Sequence, residues 1–379
     1  VTRYTLYRNF YDPYAREWQR GNSRWDIIDL LRAACALRPG GIEWPRRDDG
    51  LFSFRLEDLT VANGIGHAAA HDALADVEAT IAVARLVRTH QPRLYDYVLG
   101  HRDKRSARAL LDHESMRPVV HVSGMFGAER HNVALVAPLG PHGQNANEVI
   151  CYDLAEDPEP LIELDAAALR ERLFTRNDAL PAGTRRPGLK TVHLNRCPVL
   201  VTPKILDGAT AERLGISGDD CRRNLARLRT YRAGDPAAFS RKLTDIYGGR
   251  DLPPITDPDR MLYSGGFFSR GDRSVMDEVP SASPESLQGL AGAFEDARLP
   301  EMLFRYRARN FPDSLDAEER ERWGEYRFQR LTEPDGGGSI TLDEYQDSIQ
   351  SLLADESLGP RDRDVLAALL EYGDQLLAR

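Results

Sequence analysis

Gly66-His67-Ala68-Ala69-Ala70-His71-Asp72-Ala73-Leu74-Ala75-Asp76 runs into an apolar-periodic segment that ends near Val87. Leu74, Val77, Ile81, Ala84, Leu86 and Val87 recur at roughly helical spacing, which predicts a helix with Asp76 in its first turn and Asp72 at its N-cap. His71 then sits at the helix entrance, near enough to share a pocket with that carboxylate. A base whose ordinary pKa lies near neutrality, beside an oxygen-donor cation site, is what metal-assisted phosphodiester hydrolysis requires. By itself the spacing fits plain helix capping as well, with Asp76 favoured by the helix dipole. His67 lacks the five-residue spacing to a helical carboxylate and reads as a loop residue.

Upstream of this stretch the pattern is mostly helical. Val1-Thr2-Arg3-Tyr4-Thr5-Leu6 reads as the inside of a helix with no cap before it, and the first residue is not Met; both predict a missing natural start. Ile27, Ile28, Leu30, Leu31, Ala34 and Leu37 form an amphipathic helix with Ser23 as its expected N-cap, ended by Arg38-Pro39-Gly40-Gly41. Phe52 to Leu59 should start a short helix. Downstream, Leu94 to Leu99 is a short helix followed by the basic His101-Arg102-Asp103-Lys104-Arg105.

Strand-like segments come next, at 119–122, 133–136, 148–152 and 191–201, with turns such as Gly140-Pro141-His142-Gly143 and a helix near 166–173. They predict a small β-barrel-like domain. From about Asp251 helices dominate again, at 302–309, 317–330, 342–354 and 361–377. Asp335-Gly336-Gly337-Gly338-Ser339, followed by Asp343 and Glu344, lacks the acidic third and fifth positions and the sixth-position glycine of a calcium loop. It reads as a helix–helix turn.

The 379 residues suffice for two or three domains, and 41% apolar with 29% charged residues fits a globular protein. A net charge of −9 argues against non-specific coating of nucleic acid but leaves room for a local cationic path. Cys35, Cys151, Cys197 and Cys221 are scattered, with no C-x-x-C pair, and read as reduced thiols of a cytoplasmic protein. No run of 18 apolar residues and no signal-peptide pattern is present, so no membrane partner is expected.

Ser53-Phe54-Arg55-Leu56-Glu57-Asp58-Leu59 and Ala62-Asn63-Gly64-Ile65 lead into the histidine as in DEDD-type exonucleases with a histidine in the last motif. Within that superfamily three further stretches closely resemble the bacterial exodeoxyribonuclease I family. They are Tyr7-Arg8-Asn9-Phe10-Tyr11-Asp12-Pro13-Tyr14, Val120-His121-Val122-Ser123-Gly124-Met125-Phe126-Gly127 and Arg305-Tyr306-Arg307-Ala308-Arg309-Asn310-Phe311-Pro312. The likeness runs from Val1 nearly to the end and is weakest after about Leu331.

The resemblance implies an α+β, multidomain fold. Residues 1–91 would be the C-terminal half of a ribonuclease H-like α/β exonuclease domain, 92–246 an SH3-like β-barrel domain, and 249–379 an all-helical C-terminal domain. It implies 3′–5′ hydrolysis of single-stranded DNA to 5′-mononucleotides with two Mg2+ ions, in repair and recombination. His71 would be the general base and Asp76 the last of four carboxylate ligands. The family's first-strand Asp-x-Glu has no counterpart here and its middle aspartate falls before Val1, so the chain alone is expected to be nearly inactive.

For the DNA, the resemblance points to Arg3, Tyr14, Trp18, Arg32, Phe54 and Arg55 near the active site, with Arg55 on a phosphate or the 3′-terminal nucleotide. It points to Tyr97, Lys104, Arg117, Asn147, Lys190 and Asn195 in the SH3-like domain. Aromatic faces beside Lys and Arg suit sequence-independent strand binding, since every base can stack and every linkage is charged. The plain alternatives are helix packing for Tyr14 and Trp18 and solvated surface for Arg3 and Lys104. The run from Cys221 to Arg232 is a basic helix with Leu225 and Leu228 as its apolar stripe, and either borders the DNA path or is a solvated face. Arg305, Arg307 and Arg309, alternating with Tyr306 and near Phe311, imply C-terminal helices that close over the cleft.

The resemblance also implies a monomer that docks the acidic-hydrophobic C-terminal tail of single-stranded DNA-binding protein on Arg and Lys residues. The rival of a different class is a non-catalytic module that binds single strands or protein without cutting. RNA-end trimming or proofreading shares the His71/Asp76 motif and is a weaker alternative.

Overall fold

The computed structural model describes residues 2–66, 73–181, 183–184, 186–248 and 254–378. By contact the chain divides into two units, Val1–Ser23 with Leu252–Arg379, and Arg24–Asp251. Thr2–Arg8 (α1) opens the first unit; Ile28–Leu37 (α2), Leu56–Ala62 (α3), Ala73–His90 (α4), Pro92–Gly100 (α5) and Lys104–Leu110 (α6) belong to the second. Val119–Val122 (β1), Val133–Pro141 (β2) and Glu148–Asp153 (β3) follow, then Glu159–Glu163 (α7) and Ala166–Phe174 (α8). Leu189–His193 (β4), Val199–Val201 (β5), Gly208–Arg213 (α9), Gly218–Gly234 (α10) and Pro236–Tyr247 (α11) end that unit. The first unit resumes with Arg270–Glu278 (α12), Pro284–Leu290 (α13), Arg298–Asn310 (α14), Ala317–Thr332 (α15), Leu342–Leu353 (α16) and Pro360–Ala378 (α17).

The strands form one antiparallel sheet in the order β4-β3-β2-β1-β5. β1 is buried along its whole length, so its three valines and His121 all face protein rather than alternating with solvent. Val120, Val122, Val199 and Val201 pack with Leu30 and Leu37 of α2 and Val83 and Val87 of α4. Val119, Val136, Cys151 and Leu200 pack with Ala107 of α6 and with Phe126. The far end of the sheet, at Ile150, Tyr152 and Leu189, is covered by Leu169 of α8, Leu228 of α10 and Leu243 of α11.

Several local expectations are corrected. α2 begins at Ile28, and the cap is not Ser23: Asp26 Oδ1 accepts from the Ile28 amide at 3.1 Å. α3 begins at Leu56, because Phe52 is held in an antiparallel bridge to Arg46. The segment 191–201 is two strands, broken where Cys197 takes a left-handed φ of 52°. In α4 the core face is Ala79, Val83 and Val87, whereas Leu74, Val77 and Ile81 are 66%, 54% and 45% exposed. The helix is where the periodicity put it, but the larger apolar residues near its start are not on the buried stripe.

In the first unit, two of the family-like stretches pack on each other. The buried Phe10 ring lies 5.7 Å edge-on from Tyr306, and Asn310 Nδ2 donates to Asn9 Oδ1 at 3.2 Å. Tyr7 and Phe10 share a core with Met276, Leu287, Leu299 and Met302. Arg305 and Arg307 are buried in α14, the first paired with Asp257 at 2.6 Å and Glu301 at 2.8 Å, the second with Glu319 at 2.6 Å. Their charges are thus spent inside the unit. The residues after Pro334 form the turn between α15 and α16. All four cysteines are free thiols, and among the described residues no helix is long and apolar enough to cross a membrane.

Candidate nucleic-acid interface

In the first unit, Asp12 Oδ1 accepts from the amides of Tyr14 at 2.7 Å and Ala15 at 3.0 Å, which starts a single 3-10 turn over Ala15–Glu17. Tyr14 and Trp18 flank that turn. Arg3 of α1 binds Glu17 with both ends of its fork, at 2.7 and 2.5 Å, and its guanidinium lies 4.9 Å from the Tyr14 ring centroid. Trp18 is 61% exposed. Arg3 therefore acts as a neutralised scaffold for an aromatic face more than as a free cation.

Sequence reasoning missed Tyr263 and Phe267, which are 60% and 99% exposed. Tyr263 accepts at its hydroxyl from Arg3 Nη1 at 3.1 Å. Arg298 donates to the Gly266 carbonyl at 2.8 Å and lies 4.3 Å over the Phe268 ring, which stacks on Tyr7. A Cβ at Gly265 would overlap the Arg298 guanidinium, so a side chain there would displace Arg298. Phe268 turns inward and Phe267 is left in solvent. The signal was available: two adjacent aromatics after Gly265-Gly266, of which the core takes one.

In the second unit, Arg32 of α2 pairs with Asp29 at 2.7 Å and lies 5.9 Å from the Phe54 ring. A Cβ at Gly124 would come within 3.0 Å of that guanidinium, so this glycine leaves it room. Burial raises the Asp29 pKa against the pull of Arg32. Arg55 is the exposed, extended N-cap of α3, its amide donating at 3.3 Å to Ser53 Oγ, which in turn donates at 2.5 Å to Asp58. Asp76 stands half-buried in the first turn of α4, which packs on α3. His71, His67 and the Asp72 cap lie outside the described residues. Among those described, no group of three or more His, Cys, Asp or Glu could hold a metal ion. The described residues therefore do not by themselves fit a two-ion site.

Beside the sheet, three of the expected contacts converge from separate elements. Asp103 caps α6 by accepting from the amides of Arg105 and Ser106, which puts Lys104 at its first position. Lys104 Nζ donates to Asn147 Oδ1 at 2.5 Å, and the Asn147 carbonyl accepts from the Leu194 amide at 2.7 Å, bringing exposed Asn195 alongside. Lys190 is not with them. It sits half-buried on β4 opposite Cys151, where burial lowers its pKa despite Asp153.

Arg117 is bound to Asp112 at 2.7 Å, and Arg117 with Ser115 holds that carboxyl far below its usual range. The basic helix α10 is the solvated and tethered face of the two readings. Arg222, Arg223 and Arg227 pair with Asp219, Asp220 and Asp157, while Arg229 and Arg232 donate to the carbonyls of residues 113–116.

Tyr97 of α5, stacked on His101 with centroids 4.1 Å apart, lines a cavity of 610 Å³ together with Arg38, Arg93, Leu94, Val201 and Lys204. No carboxylate lines it, and among the described residues none of its three cations is in an ion pair. The Tyr97 hydroxyl is itself buried without a hydrogen-bond partner.

Comparison with known proteins places this arrangement. The model of the Exonuclease I SH3-like domain matches residues 102–249, and that of the Exonuclease I C-terminal domain matches 256–376. Exodeoxyribonuclease I of Escherichia coli (strain K12) is 47% identical over 377 residues, covering 100% of this chain and 77% of that protein. Because the match takes in all of this chain, it does not by itself bear out the expectation of a missing start. The moderately thermophilic Exonuclease I of Methylocaldum szegediense superposes with a TM-score of 0.90 at 50% identity, covering 99% of this chain and 78% of its own. Escherichia coli Exonuclease I in complex with a dA16 oligonucleotide does so with a TM-score of 0.90 at 46% identity, covering 99% and 78%. This chain belongs to the exodeoxyribonuclease I family, a family of exonucleases.

Proposed function

We propose that this chain carries the strand-gripping part of a 3′–5′ exonuclease that degrades single-stranded DNA to 5′-mononucleotides by two-metal-ion hydrolysis, in repair and recombination. The observation that carries the reading is the convergence of Lys104, Asn147 and Asn195 from three elements distant in sequence. A relative 46% identical was solved with dA16 bound. Trp18, Tyr14, Phe54, Tyr263 and Phe267 offer stacking faces. Arg55 and Lys104 offer phosphate donors, with Arg3, Arg32, Arg117 and Lys190 secondary because their charges are paired or partly desolvated. Such a set binds any base sequence and loses affinity steeply with salt.

Asp76 is the metal ligand and His71 the group that takes the proton from the attacking water. Charge stabilisation at the attacking and leaving oxygens is what divalent ions of the Mg2+ type supply in this class. A relative is known as a zinc-bound single-stranded DNA complex, which supports metal dependence. One carboxylate and a histidine make a poor Mg2+ site, so the chain by itself should turn over hardly at all. The ribonuclease H-like character of 1–91, the SH3-like domain over 92–246 and the helical domain over 249–379 belong to the same reading, as does a cytoplasmic monomer.

The cavity lined by Arg38, Arg93, Tyr97 and Lys204 suits an acidic-hydrophobic tail: three cations around an apolar floor. We assign it to the tail of single-stranded DNA-binding protein, a choice supported by the SSB/Exonuclease I structure of a relative. Titration of labelled oligo(dT) and duplex of equal length, with and without Mg2+, tests the reading. Selective single-strand binding supports it, whereas equal or preferential duplex binding contradicts it. The second reading, a module that binds without cutting, is favoured by the lack of a metal-binding cluster among the described residues. It is distinguished by binding without turnover in the same assay.

A further inference from the structure

α1 rests on the turn around residue 260 through three polar contacts. Arg8 Nε donates to the Asp259 carbonyl at 3.2 Å, the Tyr4 hydroxyl to the Arg260 carbonyl at 3.4 Å, and Arg3 Nη1 to the Tyr263 hydroxyl at 3.1 Å. Arg309, on α14, closes the arrangement with a forked bond. Its Nη1 donates to Asp259 Oδ2 and its Nη2 to the carbonyl of Arg8, both at 2.9 Å. Asp259 is buried, with Arg305 at 3.5 Å from the same oxygen, so the acceptor is held from two sides. The Arg8 carbonyl ends α1, where a cation also meets the negative end of the helix dipole. Near its other end the same helix carries Arg3, bidentate on Glu17 and against Tyr14 beside the exposed Trp18.

The apolar anchors Tyr7 and Phe10 are enough to keep α1 attached, since both are buried in the core of this unit. To the contacts of Arg3, Tyr4 and Arg8, the planar fork of Arg309 adds a constraint that spans two acceptors, Asp259 and the carbonyl at the end of α1. We propose that Arg309 is a positioning residue for single-strand binding, setting the orientation of α1 and with it the Arg3–Tyr14–Trp18 face. The proposal rests on the reading of that face as a strand contact. Nothing in the motif Arg305-Tyr306-Arg307-Ala308-Arg309 indicates this role; it follows from the Arg8 carbonyl, 301 residues away.

The test is a double-mutant cycle on oligo(dT) binding by the whole chain, with Arg309→Met, Trp18→Ala and their combination, and circular dichroism to verify the fold. Arg309→Met should weaken binding about tenfold in the parent but no more than about twofold in the Trp18→Ala background, the non-additivity of coupled groups. A purely structural role would give the same loss in both backgrounds. Should Arg309→Met fail to fold, Arg309→Lys takes its place; it keeps the Asp259 pair but cannot span both acceptors, and should show the same coupling at roughly half the logarithmic size. Undiminished affinity in the arginine variant, or equal losses in both backgrounds, overturns the positioning role while a weakened Trp18→Ala leaves the contact reading standing. Unchanged affinity in Trp18→Ala alone overturns the contact reading itself.

Discussion

The two units use charge in opposite ways. In the unit of 1–23 and 252–379, the buried arginines of α14 are locked to Asp257, Glu301 and Glu319, and even surface-facing Arg3 is claimed by Glu17. What that unit offers a ligand is mainly aromatic: Trp18, Tyr263 and Phe267. In the unit of 24–251, one buried pair, Arg130 with Asp153 at 2.6 Å, lies at the sheet, but His121 of β1 is buried without a charged partner, and cations such as Lys104, Arg38, Arg93 and Lys204 are left without carboxylate partners among the described residues. The difference separates arginine as a structural residue from arginine and lysine as ligand donors. The count of basic residues in a stretch does not tell the two apart, as the tethered helix α10 demonstrates.

The sharpest way to break this contrast is to unlock the first unit. Arg307→Met strands Glu319 and should cost about 3 kcal/mol in chemical unfolding, the low end for breaking a buried pair because Glu319 keeps some solvent. Arg307→Met with Glu319→Met should recover most of the loss. A double variant no more stable than the single one would contradict the assignment.

Next in size is the acid response of the sheet. His121 of β1 is buried with Nδ1 unpartnered, and burial lowers its pKa to about 4. An unfolded histidine takes up its proton near pH 6.5, so between about 6.5 and 4 the unfolded chain binds more protons than the folded one. Stability is therefore full above that window and falls by about 3 kcal/mol as the pH drops through it. His121→Leu should flatten that limb in pH-dependent unfolding of the sheet-containing unit. By contrast, the Asp257 carboxyl is disfavoured by burial but held below its ordinary pKa by Arg305 and the other donors around it. Its contribution is present above about pH 4 and is lost only as the pH falls further.

Smaller effects belong to the ligand faces. Trp18→Ala should weaken oligonucleotide binding by about 1–3 kcal/mol, the value of one stacked base, in a fluorescence titration. Lys104→Ala should mainly lower the salt dependence, by about 0.7 in the logarithmic slope for one phosphate no longer neutralised. A Trp18 variant that changes only the slope, or a Lys104 variant that leaves it untouched, would reverse the roles given to the two units.

Much of this architecture was legible. The helix carrying Asp76, the strands and the C-terminal helices follow from hydrophobic period and turn residues. The stripe of α4 was misjudged because Ala79, which occupies the core, carries less apolar weight than exposed Leu74 and Val77. The cap of α2 was misplaced because Asp26 and Ser23 are both capping residues, and only the backbone shows which amide is reached. The partners of Arg3, Arg117 and Arg309 were not readable because they come from turns and distant segments. The cationic cavity stayed hidden for the same reason: Arg38, Arg93 and Lys204 are far apart along the chain.

The most direct test of the central claim is the affinity of this chain for oligo(dT) and oligo(dA) across a range of KCl concentrations. Binding through backbone charge and base stacking predicts similar affinities for the two sequences and a logarithmic slope near −0.7 per neutralised phosphate, hence about −1.4 for the two contacts of Arg55 and Lys104. A slope near zero, or a strong preference for one base sequence, would contradict it.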